Sequence, residues 1–203
     1  MSFWVISHLL YDDRLLANIK TEMSSAFRKE TLDLNQLLER CPRLDSVYNE
    51  ILRLKTGPVG SRNVESDVIV GGKTLRAGHR VLMPYRELHL NKEVFGENAD
   101  EFDPDRFLNN KSLSRSPSYR PFGGAITYCP GRFLARREVY TFVALVFHRF
   151  DIGLAALDNR LSSPGEKLTR PPFPRTDVAK TTGGMLGPVV GDDVHVSIRV
   201  AVH

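Results

Sequence analysis

The segment at residues 121–138, PFGGAITYCPGRFLARRE, constrains this chain more than any other part of it. Its glycine-rich half presents one cysteine, Cys129, just before a run over residues 132–150 that is apolar nearly all round, through Phe133, Leu134, Val139, Phe142, Val143, Leu145 and Val146. An apolar stretch without a polar face predicts a buried helix. A cysteine at the start of such a helix sits beside unpaired backbone N–H groups and the positive end of the helix dipole, which favour thiolate over thiol and can hydrogen-bond to sulfur. Gly123, Gly124 and Gly131 permit close backbone approach to a flat ligand. For a lone cysteine the competing reading is a buried structural residue before a core helix.

The rest of the chain bounds the fold around that segment. A length of 203 residues, 41% hydrophobic and 26% charged, is enough for one sizeable core. The net charge of +4 is spread without a run of five like charges, so nucleic-acid binding is not indicated. Cys41 and Cys129 are the only cysteines, which excludes a disulfide framework or a cysteine-based zinc site and predicts a reducing compartment. The apolar residues 2–11 stop at Asp12 and Asp13, far short of the roughly 20 residues of a membrane span, and carry no basic n-region or cleavage site of a secretory signal.

Apolar spacing over residues 3–27 predicts one or two amphipathic helices broken near Asp12 and Asp13. A further helix is predicted over 44–54, with Pro42 tolerated in its first turn and Gly57 and Pro58 ending it. Short β signals follow at 61–64, 67–70 and 73–75, the last two joined by Gly71 and Gly72, and at 81–83. Residues 91–119 are polar and predict an ordered loop with little regular structure. Beyond residue 151 come Gly- and Pro-rich turns and a closing strand pattern at 194–200.

The cysteine segment resembles the haem loop of the cytochrome P450 family, in which a Phe is followed seven positions later by Cys, then by Gly two beyond, Ala six beyond and often Glu nine beyond. Phe122, Cys129, Gly131, Ala135 and Glu138 match. From typical residue usage, the first four with Gly123 coincide by chance on the order of once in ten thousand chains of this length. Two positions depart from the family pattern. Ala125 stands where a Gly is usual, and Thr127 stands where an Arg or His commonly contacts a haem propionate; steroid-hydroxylase-like members are similar in using Thr there. The resemblance implies a mostly α, α+β fold in which helices support a haem and small β-sheets flank it. It implies that Cys129 is the axial iron ligand of an iron protoporphyrin IX, with Phe122, Gly123, Gly131 and Ala135 around the macrocycle. Such a thiolate pushes electron density toward bound oxygen.

Two further motifs stand in the family's order. Glu50-Ile-Leu-Arg53 spells E-x-x-R on one helix face, a pattern that arises roughly 0.7 times by chance in a chain this long. Pro104-Asp-Arg106-Phe107 lies between it and the cysteine segment. The resemblance implies that Glu50, Arg53 and Arg106 form a buried charge network under the haem loop, a task suited to a guanidinium fork. Arg62 stands where the family often has a propionate contact; the alternative is a solvated strand-end arginine. Arg132, Arg136 and Arg137 either face an electron-donor protein, as in relatives, or form a solvated helix edge. His8, His79, His89, His148, His195 and His203 form no ligand-spaced pair and read as structural or surface residues.

The resemblance places residues 1–203 as the C-terminal part of a single domain: helices over 1–55, β hairpins over 56–86, a meander-like loop over 87–120, the cysteine loop and buried helix over 121–150, and a β-rich end over 151–203. That is less than half of a complete member. Phe3-Trp4 with Leu9-Leu10 resembles the tail of the family's long central helix, just past the Thr that relatives use in oxygen activation. The chain on its own is therefore expected not to hydroxylate. Two readings stand open: a monooxygenase represented by this part, and a catalytically inactive haem-binding remnant. The implied partners are an electron-donor reductase and a small hydrophobic organic substrate, touched by residues near 58–61 and 182–186. No signal or membrane anchor is read in the chain; a longer parent is either associated with the endoplasmic-reticulum membrane or cytoplasmic.

Overall fold

The computed structural model describes residues 1–124, 128–155, 170–180 and 184–201. Two helices open the chain, α1 (Ser2–Leu10) and α2 (Asp13–Ser24). The break falls at Asp12, whose carboxylate accepts the Leu15 N–H at 2.9 Å and so caps α2. A two-stranded hairpin, β1 (Phe27–Arg28) with β2 (Thr31–Leu32), and a short helix α3 (Leu34–Glu39) follow. Neither was expected. The hairpin turns at Lys29, which takes φ 56° with no glycine or asparagine to mark it.

The longest central element is α4 (Pro42–Lys55), three residues longer at its two ends together than the apolar spacing indicates. Pro42 needs no N–H donor at this position. The next two N–H groups, of Arg43 and Leu44, donate to the Glu22 carboxylate of α2 at 3.1–3.2 Å. A side chain from another helix thus caps α4 and fixes the angle between the two. Leu44, Val47 and Ile51 on α4 join Trp4, Leu9 and Ile19 in the core, each fully or almost fully buried and worth about 1.5–3 kcal/mol.

Beyond α4 the chain forms β3 (Val59–Asn63), β4 (Val68–Val70), β5 (Lys73–Leu75) and β6 (Arg80–Pro84). β3 pairs with β6 in antiparallel register, Arg62 opposite Val81, while β4 and β5 make a separate hairpin. Gly71 and Gly72 turn that hairpin with φ of 55° and 75°, the two positive values a type I′ turn needs. Short helices α5 (Tyr85–His89), α6 (Lys92–Phe95) and α7 (Arg106–Asn109) and a 3-10 turn at Lys111–Arg115 punctuate the polar stretch.

The last helix is α8 (Arg132–Arg149), followed by β7 (Phe150–Leu154), which pairs with β8 (Val196–Val200). The expectation that this helix is buried all round is corrected. Val139, Tyr140, Val143, Ala144 and Phe147 face the core, but Phe133 is 65% exposed, Leu134 60% and Phe142 50%. Only the stripe at three- and four-residue spacing meets the core helices, and the remaining apolar side chains lie outside it. Among the described residues, no helix is long and apolar enough to cross a membrane.

Candidate functional site

The buried polar centre of the molecule lies on α4. Glu50 and Arg53 are three residues apart on one face, and neither side chain is accessible. Arg53 uses all five of its N–H donors. Nε reaches Glu50 Oε2 at 2.8 Å and Nη2 reaches Glu50 Oε1 at 2.7 Å. The other three go to the carbonyls of His89 at 2.8 Å, of Glu101 at 3.2 Å and of Ala99. Arg106, at the start of α7, is used as completely: Nε meets Glu50 Oε1 at 3.0 Å, and the remaining donors go to Phe95 O, Asn98 Oδ1, Asn98 O and Glu101 O. The Asp103 N–H adds a fourth bond to the Glu50 carboxylate at 3.1 Å. Two rigid forks therefore tie α4 to the loop at residues 95–106, with no donor left over. A lysine, with three donors and a flexible stem, cannot replace either.

A second set of ties runs from the next face of α4 to the cysteine segment. Tyr119, just before it, donates its hydroxyl to Asn49, 2.9 Å from Oδ1. Burial pushes the Tyr119 hydroxyl well above its usual range, so it stays a donor. Beyond the cysteine, Arg136 Nη2 donates to Asp45 Oδ1 at 2.7 Å and to Leu38 O at 2.9 Å, and Tyr140 Oη donates to the same Asp45 oxygen at 2.7 Å. Arg136 is thus tied to α3 and α4 while about a third of its side chain, 36%, stays exposed. Arg137 is exposed, and Arg132 lies over the rings of Tyr128 and Phe133 at 4.4 and 4.1 Å.

Within the loop, Cys129 N–H donates to Phe122 O at 3.0 Å, and the Arg132 N–H and Nη1 both point to Cys129 O, at 3.5 and 2.9 Å. These N–H groups serve carbonyls; among the described residues no donor is found at Cys129 Sγ, contrary to the expected N–H···S bonding. The thiol is exposed, and it looks into a cavity of about 440 Å³, within the range of small-molecule and cofactor sites. Of the residues predicted to surround a cofactor, Phe122, Gly123, Ala135 and Arg62 also line this cavity. Gly131 does not line it. It is the N-cap of α8 with φ −73°, and a Cβ there meets Cys129 Sγ at 3.6 Å, an ordinary contact among the described protein atoms. Gly123 does need to be glycine, with φ 78°. Ala125, Thr127 and Thr182 lie outside the described residues.

Further walls come from Met185, inside the segment 182–186 expected to touch substrate, and from residues that no motif marked: Tyr48 and Leu52 of α4 and Tyr85 at the start of α5. Gly60 of β3 is pressed against Tyr85, where a Cβ would lie 2.3 Å from the hydroxyl oxygen. Met185 reaches the cavity because Thr56 forms a β-bridge with it and Gly57 N–H donates to Gly184 O at 3.0 Å. The donor set suits a haem. One exposed sulfur is enough for an iron whose in-plane ligands come from a macrocycle, the walls beside it are largely apolar and aromatic, and one half-buried arginine, Arg62, is among the lining residues.

The family model for cytochrome P450 matches residues 2–175. The chain belongs to the cytochrome P450 family. Among curated P450 relatives, a cytochrome P450 monooxygenase of Gibberella zeae is 29% identical over 165 residues, covering 74% of this chain and 32% of its own length. Sugiol synthase of Salvia miltiorrhiza is 32% identical over 163 residues, covering 78% of this chain and 33% of its own. The chain therefore spans about a third of these relatives. Retinoic acid-bound cyanobacterial CYP120A1 superposes with a TM-score of 0.73 over 98% of this chain and 42% of that one, at 23% identity, which shows the shared P450 fold.

Proposed function

We propose that this chain is the thiolate side of a haem monooxygenase, with Cys129 as the axial iron ligand. The observation that carries the reading is the cavity where Cys129, Phe122, Gly123, Ala135 and Arg62 meet. Residues 1–203 act as the C-terminal part of one domain, in the segments its sequence suggests. A thiolate-ligated haem supplies oxygen activation, from which one oxygen atom enters a small hydrophobic organic substrate while a reductase provides electrons. The chain's own residues hold and shape that site. Cys129 presents its sulfur; Phe122 and Ala135 line the same cavity with apolar surface; Gly123 lets the loop turn tightly; and Arg62 would supply a cation to a haem propionate. Glu50, Arg53 and Arg106 hold the loop's foundation. Pro58, Gly60, Ser61 and Met185 form the wall nearest a substrate.

Titration of iron protoporphyrin IX into the haem-free protein tests this reading. One equivalent is expected to bind with a saturating Soret change, and Cys129→Ala should weaken binding at least tenfold. Equal binding by the variant, or no saturable binding by the parent, overturns the assignment.

A further inference from the structure

His89 ends α5, and no part of its side chain reaches solvent. Its two polar ends point in different directions. The backbone carbonyl accepts from Arg53 Nη1 at 2.8 Å, and the ring Nε2 accepts the Arg120 N–H at 2.8 Å. The first bond belongs to the ion-pair network on α4; the second grips the residue just before Pro121, where the cysteine loop begins. From Arg120 the path continues inward. Its carbonyl accepts the Gly123 N–H at 3.1 Å, and the carbonyl of Phe122 accepts the Cys129 N–H at 3.0 Å.

We infer that His89 is a positioning residue for the cysteine loop, carrying the placement of the Glu50–Arg53 network to Arg120 and so to Cys129. The inference rests on the reading of Cys129 as the iron ligand. A nitrogen that accepts a hydrogen bond carries no proton, so the ring is the neutral tautomer with its hydrogen on Nδ1. Burial, with Arg53 and Arg86 close by, pushes the imidazole down to about 4 and keeps Nε2 available as an acceptor through the neutral range. Nδ1 finds no partner among the described residues, so one buried donor goes unsatisfied while Nε2 is engaged. A ring that merely filled space would be better replaced by an apolar one. The cost of the unpaired Nδ1 is offset because Nε2 does what no apolar ring can: it holds a part-buried loop N–H that has no helix or strand to bond to.

The test uses three variants. In His89→Phe the ring volume stays and the acceptor goes. In His89→Gln an oxygen stands near the place of Nε2, and in His89→Asn it stands one bond short. Amide exchange of Arg120, read on haem-free protein, should speed up roughly tenfold in His89→Phe and in His89→Asn and return near the parent rate in His89→Gln. In haem-loaded protein, reduced and treated with CO, His89→Phe should lose at least half of the red-shifted thiolate band and His89→Gln should keep most of it. Unchanged exchange and an unchanged band in His89→Phe, with the band lost in Cys129→Ala, overturn the inference and leave the haem reading standing. A band that persists in Cys129→Ala overturns the haem reading instead, and the inference with it. Where His89→Phe does not fold, Gln and Asn decide: identical exchange and spectra in the two overturn the inference.

Discussion

Replacing Glu50 by Gln is the sharpest perturbation of the buried network, because it removes one charge and almost no volume. The carboxylate accepts four bonds: two from Arg53, one from Arg106 and one from the Asp103 N–H. A carboxamide offers one oxygen and turns its NH₂ toward a guanidinium donor, so at least one bond becomes a donor–donor clash. Two guanidinium groups, one fully buried and one nearly so, lose their shared counter-charge. Charge-assisted bonds contribute about 1.5–3 kcal/mol each but do not add within one network. Stranding a buried charge costs about 3–5 kcal/mol, a large part of the 5–15 kcal/mol that stabilises a typical domain. For a chain of this size that lowers Tm by roughly 6–20 °C. Urea unfolding followed by circular dichroism measures the loss. Arg106→Met should cost a similar amount, and the double variant should fall short of the sum by about 1–3 kcal/mol. A loss below about 1 kcal/mol for Glu50→Gln, or full additivity, refutes the network as a unit.

Three other outcomes follow from the geometry. His8 is stacked on Phe102 at 3.7 Å and meets a tilted Phe173 ring at 4.5 Å, and burial pushes its imidazole from 6.5 to about 3. The unfolded chain binds a proton there that the folded one refuses, so stability is lost as pH falls from 6.5 toward 3; in His8→Phe, unfolding midpoints against pH should flatten over that window by a few kcal/mol. Lys55 lies over the Trp4 ring at 4.1 Å, and burial lowers its ammonium from 10.5 to about 8. The unfolded chain again holds the proton more tightly, so stability rises between pH 8 and 10.5, and Lys55→Met should abolish that rise. Gly123→Ala forces a side chain onto φ 78°, which costs about 1–2 kcal/mol, and should reduce haem loading measured by Soret absorbance, whereas Gly131→Ala, with φ −73°, should be tolerated.

What the sequence disclosed was what short-range spacing controls. The α4 face, the break at Asp12, the Gly71-Gly72 hairpin and the pairing of Glu50 with Arg53 all arise within a few residues of one another. The order of Arg106 after that pair, and of Cys129 after both, carried the family resemblance. The ties that hold the loop are different in kind. His89 meets Arg120 across 31 positions and Asn49 meets Tyr119 across 70, and nothing local distinguishes such a histidine or asparagine from a surface one. Arg136 looked like one of three edge arginines because its partner, Asp45, is 91 residues away. The hairpin at Lys29 escaped notice for want of any turn residue, and the apolar composition of α8 said nothing about which of its sides would meet the core.

The central claim is that Cys129 ligates haem iron through its sulfur. The most direct measurement is the absorbance spectrum of haem-loaded protein, reduced and saturated with CO, for the parent and for Cys129→Ala side by side. The account predicts the red-shifted Soret band of a thiolate ligand in the parent and its complete absence in the variant; the same band in both contradicts it.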